Sequence, residues 1–353
     1  MATQKKKISF WKKVIIAFVV LLLAGAALMA YDFYKMVYSP NVSLGEKKNI
    51  YIYIPTGSTF TDVFRILDEK NYLVNRASFE WVAELMKYKQ NVHPGKYQIR
   101  ADMNNKELIS LLRSGKQVPV KVIFNAVRTK EQLASKVAEQ IEADSLSILK
   151  LLNDDDFLNK YGLSSKGAMT LLIPNTYEFY WNTSAEEFFK RMIVEYNKFW
   201  NDQKKNKAKE IGLTPIQVSV LASIVEQETS KEDEKKIVAG VYMNRIKKNW
   251  KLQADPTLIY ALNDFTIRRV LDIYKEIDSP YNTYKYEGLP PGPICIPSVS
   301  SLNSVLNYEK HDYLYFCAKE DFSGYHNFAS IYIKHVLNAR KFQRALDKKK
   351  IKS

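Results

Sequence analysis

The residue best suited to chemistry in this chain is Glu228, a carboxyl group on the apolar side of a predicted helix. The helix is predicted over Thr214–Thr229, because Thr214 and Gln217 form a Thr-x-x-Gln capping box and Pro215 suits the first turn. At about 100° per residue, Glu228 projects among the apolar side chains of one face, which are Val218, Leu221, Ile224 and Val225. Burial raises the pKa of a carboxyl group, so the pattern predicts Glu228 as a general acid near neutral pH.

The exposure of Glu228 depends on how this helix ends. Helix termini fray, and if the apolar face stops before Glu228 the side chain reaches solvent. Glu226 points the opposite way and is predicted to lie on the polar face. The helical wheel therefore separates the two carboxyl groups, one as a candidate acid and one without a chemical role.

A further carboxyl group lies in the segment Leu252–Thr257, where Asp255 precedes Pro256. This order is typical of a helix N-cap, here for a helix predicted over 257–262. Asp255 could also act as a second carboxylate near Glu228, and the two roles are compatible.

Two short segments and one histidine complete the polar candidates. Residues 281–284 read Tyr-Asn-Thr-Tyr, and residues 288–293 read Gly-Leu-Pro-Pro-Gly-Pro, which favours a rigid, polyproline-like loop. Such a loop is either a structural element or a preorganised wall for an extended polymer. His326 is a lone histidine of the kind that is usually structural. The four histidines lack metal-site spacing, so we predict no metal and no other cofactor.

The N-terminal region predicts a membrane anchor. Residues 14–31 form an apolar run without charge, long enough to cross a bilayer as a helix, and lysines precede it at positions 5, 6, 7, 12 and 13. This charge bias places the N-terminus in the cytoplasm and the remaining chain on the periplasmic side of the cytoplasmic (inner) membrane. A cleaved signal peptide is the alternative, because small alanines lie at positions 24, 26, 27 and 30.

Composition and charge indicate an exported, folded protein of enzyme size. The chain has 353 residues, 46% of them hydrophobic, and a formal net charge of +15. We expect the positive charge to attract cytoplasmic membrane lipids or an anionic wall polymer, and we expect no nucleic-acid partner. Cys295 and Cys317 could pair in an oxidising compartment, and the sequence leaves that pairing open.

Hydrophobic periodicity predicts an α+β fold with a small module and a larger domain. The small module reads strand, helix, helix, strand and then a further helix. The predicted divisions are a basic tail (1–13), the transmembrane helix (14–31), a juxtamembrane linker (32–48), the small module (49–116), the larger domain (117–345) and a second basic tail (346–353).

Four more elements are predicted in the larger domain. They are an aromatic loop over Pro174–Asn182, a long charged helix over Ala185–Lys209, a helix over Lys231–Lys248 that follows a capping box at Ser230 and Asp233, and a last helix over 330–348.

Five sequence blocks occur in a fixed order along the larger domain. They read Ser-Ile-Val-Glu-Gln-Glu-Thr at 223–229, Leu-Gln-Ala-Asp-Pro-Thr at 252–257, Tyr-Asn-Thr-Tyr at 281–284, Gly-Leu-Pro-Pro-Gly-Pro-Ile at 288–294 and His-Asn-Phe at 326–328. Together with one anchor and a small module that contains Pro-Gly-Lys-Tyr at 94–97, the set resembles the YceG-like family of endolytic murein transglycosylases. The resemblance covers the chain from the anchor to about Lys341.

The resemblance implies a LysM-like fold for residues 49–116 and a cleft for peptidoglycan glycan strands in the larger domain. It also implies that Glu228 is the catalytic glutamate and that cell-wall synthases are partners. On such a substrate, some polar groups are expected to orient sugars and some aromatic rings to stack on them. The predicted substrate-binding residues are Gln253, Asp255, Asn282, Tyr284, Tyr177, Trp181, Tyr281 and His326.

One acid can carry out the whole reaction on this substrate. Glu228 would protonate the oxygen of the bond between N-acetylmuramic acid and N-acetylglucosamine, and its carboxylate would then take the proton of the muramyl 6-hydroxyl as that oxygen attacks the anomeric carbon. The product would carry a 1,6-anhydro end. Two alternatives stay open: a hydrolase that uses Glu228 and Asp255 as a carboxylate pair, and a membrane-anchored wall-binding protein without catalysis.

Overall fold

The computed structural model describes residues 9–125 and 127–349, which form two compact units. The small unit comprises the chain up to Val120 together with Tyr180–Asn182, and the large unit comprises Lys121–Phe179 and the chain from Thr183 onward. Both units contain helices and strands, which confirms the predicted α+β class. The two predicted basic tails lie partly outside the described residues.

A long helix, α1 (Phe10–Tyr38), opens the small unit. It is long and apolar enough to cross a membrane, its most apolar window has a mean hydropathy of 2.7, and none of that window is buried in the protein. At 1.5 Å per residue the helix is about 43 Å long, whereas the hydrocarbon core of a bilayer is about 30 Å thick. The first part of the segment predicted as a linker is therefore helical and continues α1 beyond the apolar run.

Buried polar contacts fix the end of α1 to the rest of the small unit. The side-chain amide of Asn105 is fully buried and donates to the Met36 carbonyl and to the Ser78 hydroxyl, both at 2.9 Å. Asn41 donates to Asn105 Oδ1 at 2.6 Å, and Val37 is buried in the core of the unit. Because a buried amide is costly to leave without partners, the last turn of α1 is part of the folded unit.

The contacts between the end of α1 and the small unit predict different outcomes for two deletions. A chain that lacks residues 1–31 keeps Met36 and Val37, so we expect it to stay folded and to leave the membrane fraction. A chain that lacks residues 1–38 loses both, and its small unit should lose about 1–3 kcal/mol of unfolding free energy. Chemical denaturation of the two proteins measures the difference. Equal midpoints would contradict the claim that the last turn of α1 stabilises the small unit. Recovery of the undeleted protein in the soluble fraction, with a new N-terminus near residue 31, would show a signal peptide instead.

The small unit is built on a two-stranded antiparallel sheet. Strand β1 (Asn49–Ile54) pairs with β2 (Gly95–Arg100), in register from Asn49 opposite Arg100 to Ile54 opposite Gly95. The helices, each with a side-chain N-cap, are α2 (Phe60–Glu69), α3 (Arg76–Leu85) and α4 (Asn105–Ser114). The order of strands and helices is the one that the sequence predicts.

The large unit is mostly helical and contains two small sheets. Strand β3 pairs with β4, and β5 pairs antiparallel with β6. Short 3₁₀ helices span Ser165–Leu171 and Asp272–Glu276. In chain order the elements are β3 (Val120–Ile123), α5 (Lys130–Ala138), α6 (Ser145–Asn153), α7 (Asp155–Asn159), β4 (Thr176–Phe179), α8 (Ala185–Phe199), α9 (Asp202–Glu210), α10 (Pro215–Glu228), α11 (Lys235–Lys247), α12 (Asp255–Leu262), α13 (Val299–Leu306), β5 (Tyr315–Ala318), β6 (His326–Ala329) and α14 (Tyr332–Lys348).

Two predicted elements before α10 differ from the structure. The charged helix predicted over 185–209 is broken into α8 and α9, because Trp200 is fully buried at the break and Asn201 caps α9 by accepting from the Lys204 amide at 3.0 Å. The aromatic segment 174–182, predicted as a loop, contains strand β4.

Two further differences lie near the functional blocks. The capping box predicted at Ser230 and Asp233 does not form, and α11 begins at Lys235 without a side-chain cap. The carboxylate of Glu234, just before α11, is instead hydrogen bonded to His326. His326 lies in β6, which forms a hairpin with β5. The sequence did not predict this hairpin, because four residues per strand are too few to show the alternation that identifies a strand.

Candidate active site

Helix α10, which carries Glu228 in its last turn, is buried along most of its length. Every residue from Val218 to Val225 is buried, including those opposite the predicted apolar face. The predicted capping box is present, and the Gln217 amide donates to the Thr214 hydroxyl at 3.2 Å. Because the core of the large unit surrounds α10, Glu228 is presented by a rigid element.

Glu228 is desolvated but still accessible. Its side chain is partly exposed, and burial of the carboxyl group by the surrounding protein is the largest influence on its pKa. Burial and the negative charge of Asp255 both raise the pKa of Glu228. A hydrogen bond from the Tyr242 hydroxyl to Oε1, at 2.5 Å, and the positive charge of Arg245 both lower it. The net effect raises the pKa of Glu228 to about 7. A group with this pKa can both give and take a proton near neutral pH.

The contact between Tyr242 and Glu228 predicts a shift in pH dependence. The hydrogen bond lowers the pKa of Glu228, so Tyr242→Phe should raise it, and the protonated acid should persist to higher pH. We expect the alkaline limb of kcat/KM to move upward, with a lower maximal rate because the carboxyl group is less firmly oriented. A pH–rate profile measures this. An alkaline limb that is unchanged, or that moves downward, would contradict the assignment of Glu228 as the titrating acid.

Glu226 has a structural role that the helical wheel did not predict. Glu226 does not lie free on a polar face. Its carboxylate accepts hydrogen bonds from the hydroxyls of Ser298 and Ser301, and it forms an ion pair with Lys235 at 3.3 Å. Burial alone would raise the pKa of Glu226, but these hydrogen bonds and the lysine charge outweigh it and lower the pKa. Glu226 is therefore an ionised tie between α10, α11 and α13.

Substitution of Glu226 should affect folding more than chemistry. In Glu226→Gln the buried Lys235 loses one of its two carboxylate partners, since Glu232 remains, and the serine hydroxyls lose a charged acceptor. We expect a loss of about 1–3 kcal/mol in unfolding free energy, with the turnover of the folded protein largely kept. Denaturant titration and a rate normalised to folded protein test both parts. A fully stable but inactive variant would show that Glu226 takes part in catalysis.

Asp255 and Tyr284 extend the group around Glu228. The Tyr284 hydroxyl donates a hydrogen bond to Asp255 Oδ1. Burial is the largest cause that raises the pKa of Tyr284, and the charges of Asp255 and Glu228 add to it. Asp255 is not the predicted N-cap, because α12 begins at Asp255 itself and Ala254 takes the cap position. Its other predicted role, as a second carboxylate near Glu228, fits the influence of its charge on the Glu228 pKa.

Arg245 supplies a buried positive charge to this group. Its side chain is 7% exposed and donates from Nε to the Leu314 carbonyl at 2.8 Å and from Nη1 to the Leu252 carbonyl. Burial raises the pKa values of both Glu228 and Tyr242, and the charge of Arg245 opposes that rise in each case. Because these contacts hold Arg245 in place, the field at Glu228 is preorganised.

The Leu-Gln-Ala-Asp-Pro-Thr and Tyr-Asn-Thr-Tyr blocks are joined through Thr283. Its hydroxyl accepts from the Ala254 amide at 3.0 Å and lies 2.8 Å from the Thr257 hydroxyl, and its carbonyl accepts from the Gln253 amide at 3.0 Å. Gln253 itself is exposed. These bonds set the position of Asp255 relative to Tyr284.

The proline-rich block is fixed to α10 by short-range contacts. The Ile294 amide donates to the Ser223 hydroxyl at 3.0 Å, and Cys295 Sγ lies 3.5 Å from both the Ser223 carbonyl and Gln227 Nε2. Burial raises the pKa of the Cys295 thiol to about 12. Cys295 and Cys317 are both free thiols, so the pairing that the sequence left open does not occur.

His326 is hydrogen bonded to Glu234, at the end of the turn that follows Glu228. Its amide donates to Glu234 Oε1 at 2.8 Å and its Nδ1 lies 2.9 Å from Oε2, which also accepts from the Thr229 hydroxyl at 3.4 Å. The ring meets Phe316 edge-on, and Phe316 meets Tyr242 edge-on. This arrangement gives His326 a role in positioning the turn after α10.

The remaining predicted substrate-binding residues take other positions. Asn282 is fully buried and donates to the carbonyls of Lys275 and Ile277, so it shapes its own loop and does not face a ligand. Tyr177 is buried, and its hydroxyl donates to the Ile173 carbonyl at 2.6 Å.

Two aromatic residues predicted to stack on sugars pack against other rings. Tyr281 is half-buried, and its ring centroid lies 4.7 Å from that of Tyr260. Trp181 belongs to the small unit, where its ring lies 5.1 Å from that of Tyr53. Within residues 9–125 and 127–349, no cluster of three or more His, Cys, Asp or Glu side chains is arranged to hold a metal ion.

The blocks that meet at Glu228 also identify the family. The YceG-like family model matches residues 52–341, which is most of the chain and includes every block. This protein belongs to the YceG-like family. It is 31% identical over 300 residues to an endolytic murein transglycosylase of Bacillus subtilis (strain 168), a match that covers 79% of this chain and 81% of the relative.

Two further comparisons agree with this membership. An endolytic murein transglycosylase of Streptococcus pneumoniae serotype 2 is 27% identical over 308 residues, which are 78% of this YceG-like chain and 55% of the relative, so the match spans about half of that protein. The crystal structure of a yceG-like protein from Listeria monocytogenes aligns with a TM-score of 0.55 at 29% identity, over 83% of this chain and 99% of that one.

Sequence reasoning about this YceG-like chain missed the direct partner of Glu228. Tyr242 follows Val238 by one helical turn and precedes Arg245 by three residues, so the wheel of α11 places it on the inward face. A tyrosine hydroxyl next to an arginine on the inward face of a helix was the signal that could have found Tyr242.

Proposed function

We propose that this YceG-like protein is a lytic transglycosylase that cuts peptidoglycan glycan strands internally. The observation that carries the proposal is the position of Glu228, which is desolvated, keeps an accessible surface and has its pKa raised to about 7. The names of its relatives support murein as the substrate. Peptidoglycan glycan is therefore its proposed partner, and cell-wall synthases remain proposed partners on the strength of the family resemblance.

In the proposed reaction Glu228 serves first as the acid and then as the base. The protonated carboxyl group gives its proton to the glycosidic oxygen of the bond between N-acetylmuramic acid and N-acetylglucosamine, and that bond breaks. The carboxylate then accepts the proton of the muramyl 6-hydroxyl as this oxygen attacks the anomeric carbon. The product carries a 1,6-anhydro end and no water is consumed.

The neighbours of Glu228 fit this proton cycle. The Tyr242 hydroxyl holds Oε1, and in the proposed reaction Oε2 would exchange the proton with the substrate. The negative charge of Asp255 favours the protonated acid at the start and stabilises positive charge that develops on the sugar ring. Asp255 is also the candidate nucleophile of a hydrolase, which is why the identity of the product matters.

We place the catalytic unit outside the cytoplasmic membrane. Helix α1 supplies a span of sufficient length, and the lysines before it favour a cytoplasmic N-terminus. The small unit, with its antiparallel pair of strands and intervening helices, fits the LysM-like module that the family resemblance implies. The substrate and the enzyme would then meet at the outer face of the membrane.

Digestion of purified sacculi by the full-length protein in detergent micelles tests the proposed activity. Internal cutting should shorten the glycan strands steadily, with little release of single disaccharides. A protein that binds sacculi but leaves the strand-length distribution unchanged would be a wall-binding protein, and the enzymatic proposal would fail.

A further inference from the structure

An exposed apolar stripe runs along helix α3 and includes Val74, which precedes the N-cap of the helix. We define this α3 stripe as Val74, Ala77, Trp81 and Leu85. Trp81 is 43% exposed, Leu85 is 55% exposed and Val74 is 69% exposed. The opposite face of α3 is buried in the core of the small unit. Single exposed apolar residues are ordinary, but Ala77, Trp81 and Leu85 recur every four residues on one face of α3, and such a row indicates an interaction surface.

The α3 stripe is continuous with the apolar surface of α1. The rings of Phe33 and Trp81 meet edge-on with 5.5 Å between centroids, and Met29 and Phe33 line the same groove as Ala77 and Trp81. Met29 belongs to the apolar run that ends at residue 31, and Phe33 lies just beyond it. Trp81 therefore stands at the level where α1 leaves the hydrocarbon core.

Aromatic and cationic side chains follow about one turn further along α1. The rings of Tyr34 and Tyr38 stack with 5.0 Å between centroids, and Lys106 Nζ lies 5.1 Å from the Tyr38 ring. Lys35 is exposed in the same turn. Aromatic rings at the level of the headgroups and lysines beside them are the usual order at a membrane surface, where lysines attract anionic lipid headgroups.

The start of α3 cannot move independently of the end of α1. Asn41, just after α1, accepts from the Asn75 amide at 2.6 Å and donates to the Asn75 carbonyl at 3.0 Å. Asn105 bridges Met36 and Ser78 in the same buried network. A helix that spans the bilayer therefore also fixes the height and tilt of α3.

We infer that the α3 stripe rests in the outer surface of the lipid bilayer, with phospholipid of the outer leaflet as its occupant. The inference rests on the proposed membrane anchoring of α1. Continuity with the spanning helix and the neighbouring lysines argue for lipid over a protein partner. The small unit would then lie directly on the membrane surface, without a flexible tether.

Site-directed spin labelling of the full-length protein tests this placement. The protein carries Cys317→Ser, and Cys295 is buried, so a nitroxide reacts at one introduced cysteine. The sites are Leu85→Cys on the α3 stripe, and Thr56→Cys in the exposed turn after β1 as the control. The samples are vesicles of phosphatidylcholine and phosphatidylglycerol, and collision with oxygen, which concentrates in lipid, is compared with collision with a water-soluble nickel chelate.

A third label at Val20→Cys, inside the apolar run, tests the membrane anchoring of α1 separately from the lipid contact of the α3 stripe. We expect labels at 85 and 20 to collide more with oxygen and the label at 56 to collide more with nickel. A label at 85 that favours nickel, or is shielded from both reagents by protein, overturns the lipid contact while the label at 20 still supports the anchor. If the label at 20 also favours nickel, the proposed anchoring fails and the lipid contact fails with it.

Discussion

Glu228→Gln is expected to remove nearly all turnover while the protein stays folded. Glutamine keeps the size of the side chain and can still accept the hydrogen bond from the Tyr242 hydroxyl, but it cannot cycle a proton. General acid–base catalysis contributes about 10²–10⁴-fold to rates, and a group that serves both steps accounts for at least that share. Rates of strand cleavage by purified wild-type and variant proteins measure the loss, and binding to sacculi should persist.

The matched control for this substitution is Glu210→Gln, an exposed residue of α9. It makes the same chemical change away from the site and should leave the rate unchanged. Glu226→Gln cannot serve as the control, although it lies in the same turn, because Glu226 ties three helices together. Normal cleavage by Glu228→Gln would require the catalytic assignment of α10 to be abandoned.

The second large effect is a pH-dependent gain in stability for the same variant. The pKa of Glu228 is about 7 in the folded protein and about 4.5 in the unfolded chain. Between these values the folded state binds the extra proton, so the stability that Glu228 contributes is fully present below about pH 4.5 and is lost as pH rises through about 7. Glutamine carries no charge at any pH. Glu228→Gln should therefore gain stability over the wild type as pH rises, by about 3 kcal/mol between pH 4.5 and pH 8.

Denaturant titrations of both proteins at several pH values measure this difference. Because every other titrating group is present in both proteins, the pH dependence of the difference reports on Glu228 and on the groups coupled to its charge. A difference that stays constant from pH 4.5 to pH 8 would mean that the carboxyl group is not desolvated in the folded state.

The sequence predicted the elements whose signals are local. The Thr214–Gln217 box fixed the start of α10, and the alternating run 49–54 fixed β1. The helical wheel also predicted that Glu228 lies on the apolar side of α10. The wheel underestimated the burial of α10, because a helix enclosed on all sides has no polar face. The buried hydroxyls of Ser219 and Ser223 donate to backbone carbonyls one turn earlier in α10, those of Pro215 and Val220.

The contacts that tune the site depend on tertiary packing and carried no local signal. Glu226 looked like a surface residue because its partners Ser298 and Ser301 lie far along the chain. Asp255 before Pro256 looked like an N-cap, yet its carboxylate accepts from Tyr284. In each case a long-range hydrogen bond determined the role of a carboxyl group whose neighbours in sequence suggested another one.

The measurement that tests the central claim most directly is digestion of sacculi in ¹⁸O-labelled water, with the new ends analysed by mass spectrometry. If Glu228 alone shuttles the proton to and from the sugar, wild-type protein should produce 1,6-anhydro ends that contain no ¹⁸O, and Glu228→Gln should produce almost none. New reducing ends that carry ¹⁸O would show that water attacks the anomeric carbon, which would contradict the single-acid account and favour a hydrolase that uses both Glu228 and Asp255.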